Sequence, residues 1–302
     1  ENNNAYFIHQ DVTNVTSEDI LRFYPANSIR ALVGCAPCQP FSKYSQRYRK
    51  DGQVDDKWKL LYSFARIIRT LPHIVSMENV PELSDENVFH DFVNALIGLG
   101  YNVDWHVVYC PEYGVPQNRK RLVLLASRLG QIALINPLYN QDNYPTVRDA
   151  IGNLPPIDAG EQNEIDPLHR ACRLSEINLR RIRSSVPGGT WRDWDESLQL
   201  PCHKRKSGRT YPSVYGRMCW DEPSPTITTQ FYGYGNGRFG HPEQDRALSL
   251  REGAILQSFP PDYIFTDEEH PSNRRDLGIH IGNAVPVELG RAIGISILNH
   301  LQ

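Results

Sequence analysis

Apolar and polar positions follow two different periods through the first half of the chain. Ala31-Leu32-Val33 is a short apolar run stopping at Gly34, the pattern of a buried strand that empties into a loop. Between 58 and 71, Leu60, Leu61, Phe64, Ile67, Ile68 and Leu71 recur at helical spacing until Pro72 ends the run. His73-Ile74-Val75-Ser76-Met77 predicts the next strand, closed by the polar pair Glu78-Asn79. A helix over 88–99, ended by Gly100, precedes strands near 103–109 and 121–127. Strands joined by helices, with polar residues at the strand ends, predict an open α/β sheet. In such sheets the chemistry gathers at the carboxyl ends of strands.

From about Asn136 the texture changes, as Pro and Gly become frequent and periodicity fades. Arg170, Arg173, Arg180, Arg181, Arg183 and Arg192 cluster, followed by Lys204, Arg205, Lys206 and Arg209. A Gly-aromatic stretch over 231–240 comes next. Helical character returns at 250–257, and a terminal helix is predicted over 287–301. These shifts divide the chain into a first domain over 1–148, a smaller loop-rich domain over 149–258, and a hinge returning to the first domain over 259–302.

The 302 residues carry 32 Lys+Arg against 35 Asp+Glu, a net charge of -3. With 40% hydrophobic and 22% charged residues, the chain is not disordered, collagenous or a coiled coil. No run approaches the ~18 apolar residues of a membrane helix, so no bilayer crossing is expected. The charge argues against a surface that coats nucleic acid throughout and leaves room for a local basic face. The chain opens Glu1-Asn2-Asn3-Asn4 without an initiator Met, which leads us to expect a processed or truncated front.

Six cysteines are few for this length and point to a reducing, cytoplasmic setting. Cys35 and Cys38 form a C-x-x-C. A structural zinc site requires a second pair at similar spacing, and His169, Cys172, Cys202 and His203 would have to be gathered from scattered positions. No metal is expected. A thioredoxin-like site is disfavoured because Gln39-Pro40 follows, rather than a helix that lowers a thiol pKa.

Cys38 sits between prolines on a loop that directly follows a strand. Glu78 closes the next strand, so it is expected along the same sheet edge. Gln117-Asn118-Arg119-Lys120-Arg121 opens another strand, and alternation puts Arg119 and Arg121 on one face. A thiol, a carboxylic acid and a guanidinium at three strand ends can attack and polarise an electron-poor ring.

Pro37-Cys38-Gln39, Glu78-Asn79-Val80 and Gln117-x-Arg119-x-Arg121 resemble the successive signature motifs of the DNA (cytosine-5) methyltransferases. Arg246-Ala247-Leu248-Ser249-Leu250-Arg251-Glu252, running on to Gln257-Ser258-Phe259-Pro260, resembles the family's penultimate motif. Gly282-Asn283-Ala284-Val285-Pro286 resembles its last, and Pro225-Thr226-Ile227-Thr228 the end of its target-recognition region. The resemblance implies a Rossmann-like methyltransferase sheet with a smaller target-recognition domain. It implies transfer of a methyl group from S-adenosylmethionine, leaving S-adenosylhomocysteine, to C5 of a cytosine flipped out of duplex DNA. Cys38 would add to C6. Glu78, with a raised carboxyl pKa, would serve N3 and the exocyclic amine. Arg121 would meet O2, and Arg119 would hold the nucleophile loop or the substrate backbone.

By the same match, Asp11, Pro37, Leu60 and Asn283 line the cofactor pocket. Gln39, Ser42, Arg217 and Thr226 are the expected DNA contacts, and the basic loop 43–59 would close over the flipped base. Double-stranded DNA is the implied partner of a cytoplasmic monomer, with a cognate restriction endonuclease where the enzyme serves restriction–modification. The family's opening strand and Phe-x-Gly-x-Gly turn have no counterpart here, so this chain alone is expected to bind the cofactor poorly. An amino-methyltransferase would need an Asp/Asn/Ser-Pro-Pro-aromatic loop, which Ala36-Pro37-Cys38-Gln39 is not. A tRNA-directed relative shares the cysteine chemistry, but a recognition region of about a hundred residues favours DNA. A catalytically incompetent DNA-binding fragment is the remaining alternative.

Overall fold

The computed structural model describes residues 5–35, 58–205, 210–266 and 272–302, without the side chains of Trp58 and Lys59. Among the described residues the strands are β1 (Ala31–Gly34), β2 (Ile74–Asn79), β3 (Asn102–Tyr109), β4 (Gln117–Asn118), β5 (Lys120–Ser127) and β6 (Ser224–Pro225). The helices are α1 (Ser17–Leu21), α2 (Trp58–Ile68), α3 (Asn87–Gly98), α4 (Val147–Ile151), α5 (Glu176–Arg183), α6 (Leu250–Leu256), α7 (Arg274–Asn283) and α8 (Val287–His300). The chain packs as two compact bodies. One holds 3–109, 120–136 and 290–302, and the other 110–119 and 137–289. The limits expected at 148 and 258 follow changes in composition, whereas the bodies follow shared packing.

The first body is built on a sheet of order β1-β2-β5-β3. β1 and β2 are parallel, and β5 runs antiparallel to both β2 and β3. The carboxyl ends of β1 and β2 therefore share an edge with the start of β5. All six residues of β2 are buried, as a strand covered on both faces requires. Val75 and Met77 of β2 join Leu122, Leu124 and Ala126 of β5 on one face. There they pack with Phe64 and Ile68 of α2 and Phe89, Phe92 and Leu96 of α3. Gly34 is required by this packing, since a Cβ there would stand 2.5 Å from the Phe64 ring. α2 stops at Ile68, short of the predicted 71. Thr70 and Leu71 instead donate to the carbonyls of Ile67 and Ile68 in a tighter turn, and Leu71 takes φ 53 before Pro72.

The second body has little regular structure but a dense core. Phe231, Phe239, Leu248, Met218 and Ile227 pack with Ala254 and Leu256 of α6 and Leu277 and Ile281 of α7. Inside it Arg246 makes a two-pronged ion pair with Glu252, both contacts at 2.7 Å and both side chains 1% exposed. A satellite of Trp191, Trp194 and Leu198 takes in His203, whose ring stacks on Trp191 at 4.4 Å.

Within Arg274–His300 an 18-residue window reaches a mean hydropathy of 1.2, but the stretch is not an apolar run, since Arg274, Arg275, Asp276, Glu288 and Arg291 lie in it. Ala284-Val285-Pro286 breaks it into α7 and α8, of 10 and 14 residues. Neither reaches the ~20 residues that crossing a bilayer takes.

Candidate active site

The register of the first sheet explains why its polar side chains meet. Glu78 is paired with Val123, so it points to the face opposite the Met77–Leu124 core pair. Arg121 lies two residues before Val123 on β5 and shares that face, as the diagonal neighbour of Glu78. The Nε of Arg121 reaches Oε1 of Glu78 at 2.7 Å, with the side chains only 12% and 8% exposed. On the other side, Gly34 of β1 is paired with Met77, which brings Cys35 level with Glu78. The Cys35 thiol donates to Oε2 of Glu78 at 3.1 Å. Asn79 is also buried, and its Oδ1 accepts from the Val80 amide at 2.9 Å, fixing the exit from β2. Cys38, which follows Cys35 by three positions, lies outside the described residues, as do Pro37, Gln39, Ser42 and nearly all of the 43–59 loop.

Arg119 has a different setting from the one its spacing predicts. The strand is interrupted at this residue, between β4 and β5, so the alternation with Arg121 does not run through. Arg119 is 4% exposed and belongs to the second body. Its Nη1 donates to Oε1 of Gln117 and to the carbonyl of Ile227, each at 3.2 Å. Gln117 in turn accepts from the Ile227 amide at 2.8 Å and donates to Oε1 of Gln257 at 3.0 Å. Gln257 donates onward to the Ile281 carbonyl at 2.7 Å, beside the end of α7 that carries Asn283. Arg119 thus anchors the segment around Ile227, a partner that sequence reasoning did not name.

Among the other expected site residues, Asp11 is exposed and caps a short 3-10 turn. Its Oδ1 accepts from the amide and hydroxyl of Thr13 at 2.8 and 2.7 Å, and these bonds hold the carboxyl below its usual range. Arg66 of α2 ties this turn to the first body through the carbonyls of Val12 and Thr13. Leu60 is half-buried on α2, and Asn283 is exposed at the end of α7. Thr226 is exposed, and its hydroxyl donates to the Asn118 carbonyl at 2.6 Å.

Arg217 corrects the expectation of a DNA contact. It is 5% exposed and donates to the carbonyls of Ile182, Ser185, His241 and Gln244, besides its ion pair with Asp245. A guanidinium so fully engaged is a structural organiser and has no donor face left for a phosphate. Arg181 is similarly drawn inward, to the Leu198 carbonyl and Asn178, whereas Arg170, Arg173, Arg180, Arg183 and Arg192 are exposed. Two of the residues weighed as metal ligands have other partners. His169 lies 2.9 Å from the Ser249 hydroxyl and 2.8 Å from the Pro155 carbonyl, and Arg274 donates to the Cys172 sulfur at 2.8 Å.

A sheet with one reversed strand, a carboxylate and a guanidinium at its edge, and an appended loop-rich body define a methyltransferase-like α/β protein. A solved E. coli structure, a putative DNA modification methyltransferase encoded within a prophage, matches with a TM-score of 0.70 at 21% identity. The match covers 97% of this chain and 86% of that one. The Dnmt2 methyltransferase of S. pombe matches with a TM-score of 0.56 at 17% identity, over 97% of this chain and 84% of its own. At the level of sequence, the family model for C-5 cytosine-specific DNA methylases matches residues 1–299. The chain belongs to that family. It is 52% identical to the type II methylase M.HgiDII of Herpetosiphon aurantiacus over 306 residues, covering 100% of this chain and 85% of that protein. It is 32% identical to the type II methyltransferase M1.HphI of Haemophilus parahaemolyticus, covering 96% and 74% respectively.

Proposed function

We propose that this chain methylates C5 of a cytosine, flipped out of a specific duplex DNA sequence, through covalent addition of Cys38 at C6. The observation that carries this reading is the Glu78–Arg121 pair, held at 2.7 Å on a sheet edge where β1 also ends. Cytosine C5 is too weak a nucleophile to take a methyl group directly. A thiolate adding to C6 pushes the ring electrons toward C5, N3 and O2. Glu78 then holds N3 and the exocyclic amine, and Arg121 hydrogen-bonds O2, where negative charge accumulates. After transfer, loss of the C5 proton and elimination of the Cys38 thiolate restore the aromatic ring. Arg119 acts at one remove, by fixing the segment that ends the recognition region.

The cofactor is S-adenosylmethionine, which supplies an electrophilic methyl group when bound. Asp11 offers an exposed carboxylate acceptor suited to an adenine amine, and Leu60 an aliphatic wall; Pro37 and Asn283 complete the set. Duplex DNA is the substrate, met by the exposed arginines between 170 and 192 together with Gln39, Ser42 and Thr226. The names of its relatives favour a restriction–modification setting, with an endonuclease of the same specificity as partner and a cytoplasmic location.

A covalent-trap assay tests this reading. The protein is incubated with S-adenosylmethionine and duplexes carrying 5-fluorocytosine, with tRNA in a parallel arm. The expected result is a denaturant-stable adduct on DNA that Cys38→Ala abolishes. An adduct on tRNA alone would move the substrate to RNA, and no adduct on either would leave a DNA-binding protein without this chemistry.

A further inference from the structure

Cys35 has a partner that neither a metal site nor a redox pair would give it. We propose that Cys35 is a positioning residue, whose thiol fixes the second oxygen of the Glu78 carboxylate. The inference rests on the reading of Glu78 as the residue that holds the cytosine ring. The carboxylate is gripped from two sides, Oε1 by Arg121 at 2.7 Å and Oε2 by the Cys35 thiol at 3.1 Å. In the proposed reaction Arg121 must also serve O2 of the base, so its hold on Oε1 changes as the base enters. The thiol contact is to the other oxygen, Oε2, and is separate from the Arg121 contact at Oε1. A thiol is a weak, neutral donor, and it orients the carboxylate without bringing a second positive charge to it. Its own place is set by the fold: pairing of Gly34 with Met77 puts the next residue level with Glu78, and the Phe64 ring leaves no room for a side chain at 34.

The test compares Cys35→Ala, Cys35→Ser and Glu78→Gln in the full chain, by single-turnover methyl transfer to duplex DNA. Cys35→Ala is expected to slow transfer about tenfold, the worth of one hydrogen bond to a charged group. KM for DNA should be unchanged, and Cys35→Ser, which keeps a donor, should recover most of the rate. A second readout needs no activity. In a Cys38→Ala background, iodoacetamide labelling of Cys35, followed by peptide mass spectrometry, should be faster in Glu78→Gln, because the thiol is no longer held in a hydrogen bond to a carboxylate. Wild-type rates in Cys35→Ala, equal rates in the Ala and Ser variants, or labelling indifferent to Glu78 would each overturn the assignment. Glu78→Gln at wild-type rate would instead overturn the reading of Glu78 itself. An inactive Glu78→Gln beside an unaffected Cys35→Ala would remove only the role of Cys35.

Discussion

Arg217 stands in a cationic stretch, and charge alone suggests a phosphate partner for it. Its surroundings argue otherwise, because four backbone carbonyls, two at the end of α5 and two from the 241–244 loop, converge on one guanidinium. Removing it strands those acceptors in the interior and leaves Asp245 without its buried counter-ion. Arg217→Ala should therefore cost about 3 kcal/mol of stability in urea unfolding. Wherever the variant stays folded, the dependence of DNA affinity on salt should match wild type. A phosphate contact would behave in the opposite way, leaving stability intact and reducing the slope of log K against log[salt] by about 0.9. Glu78 and Arg121, by contrast, stand at the strand ends where the sequence puts polar residues, although it is the register of β2 on β5 that brings the two onto one face. Cys35 was seen in its C-x-x-C, but its partner was not, since a carboxylate 43 positions away leaves no local mark.

At the scale of elements, α6 forms where helical character is expected, at 250–257, yet without an amphipathic pattern. Every residue from Leu250 to Leu256 is buried, including Arg251 and Glu252, so no polar face marks the helix. At Gly253 a Cβ would stand 1.9 Å from the ring of Phe231, which is fully buried. Gly253→Ala gains about 1 kcal/mol in helix propensity, but overpacking of this kind costs typically 1–3 kcal/mol, and here it meets a ring that cannot withdraw. The expected outcome is a lower thermal midpoint, partly restored in the double variant with Phe231→Leu. A midpoint at or above wild type would mean that helix and ring are not in close contact.

The same contrast runs through the whole set of elements. α2, α3, β2, β3 and β5 announce themselves because each buries one face or both against a regular neighbour. α1 and α4 were missed: each has five residues, and their capping boxes at Thr16–Asp19 and Thr146–Asp149 use Asp where the usual signal is Glu or Gln. α5, with three arginines in its last turn, read as a patch of charge. The break at Arg119 was hidden because Gln117 and Gln257, whose amides meet there, lie 140 positions apart.

At the scale of the molecule, a net charge of -3 conceals how unevenly the charges are placed. Some are exposed in the arginine-rich stretch, and others are sealed in the second body around Arg246, Glu252 and His241. His241 lies 3.7 Å from Glu252, and its Nδ1 accepts from the amides of Glu243 and Gln244 at 3.1 and 2.9 Å. Burial is the main cause that lowers its pKa from 6.5 to about 4, against the opposing pull of Glu252. The imidazole is therefore neutral in the folded protein over a range where the unfolded chain binds a proton. Stability must fall as pH drops from about 6.5 toward 4, by up to about 3 kcal/mol from this group. Glu252 acts lower on the scale. Burial alone would raise its carboxyl, but the hydrogen bonds and charge of Arg246 outweigh that and hold it below 4.5. Its contribution is complete above about pH 4.5 and is lost as the pH falls through its folded value. The two groups thus titrate in separate windows. His241→Asn keeps an acceptor for the two amides and removes the titration. Between pH 7 and 4.5 the wild-type unfolding free energy should drop by about 2–3 kcal/mol more than that of His241→Asn, while below pH 4 both should lose stability together as Glu252 protonates. Parallel pH profiles down to 4.5 would show that His241 takes up its proton as readily in the folded protein as in the unfolded chain, and burial would then not hold the imidazole neutral.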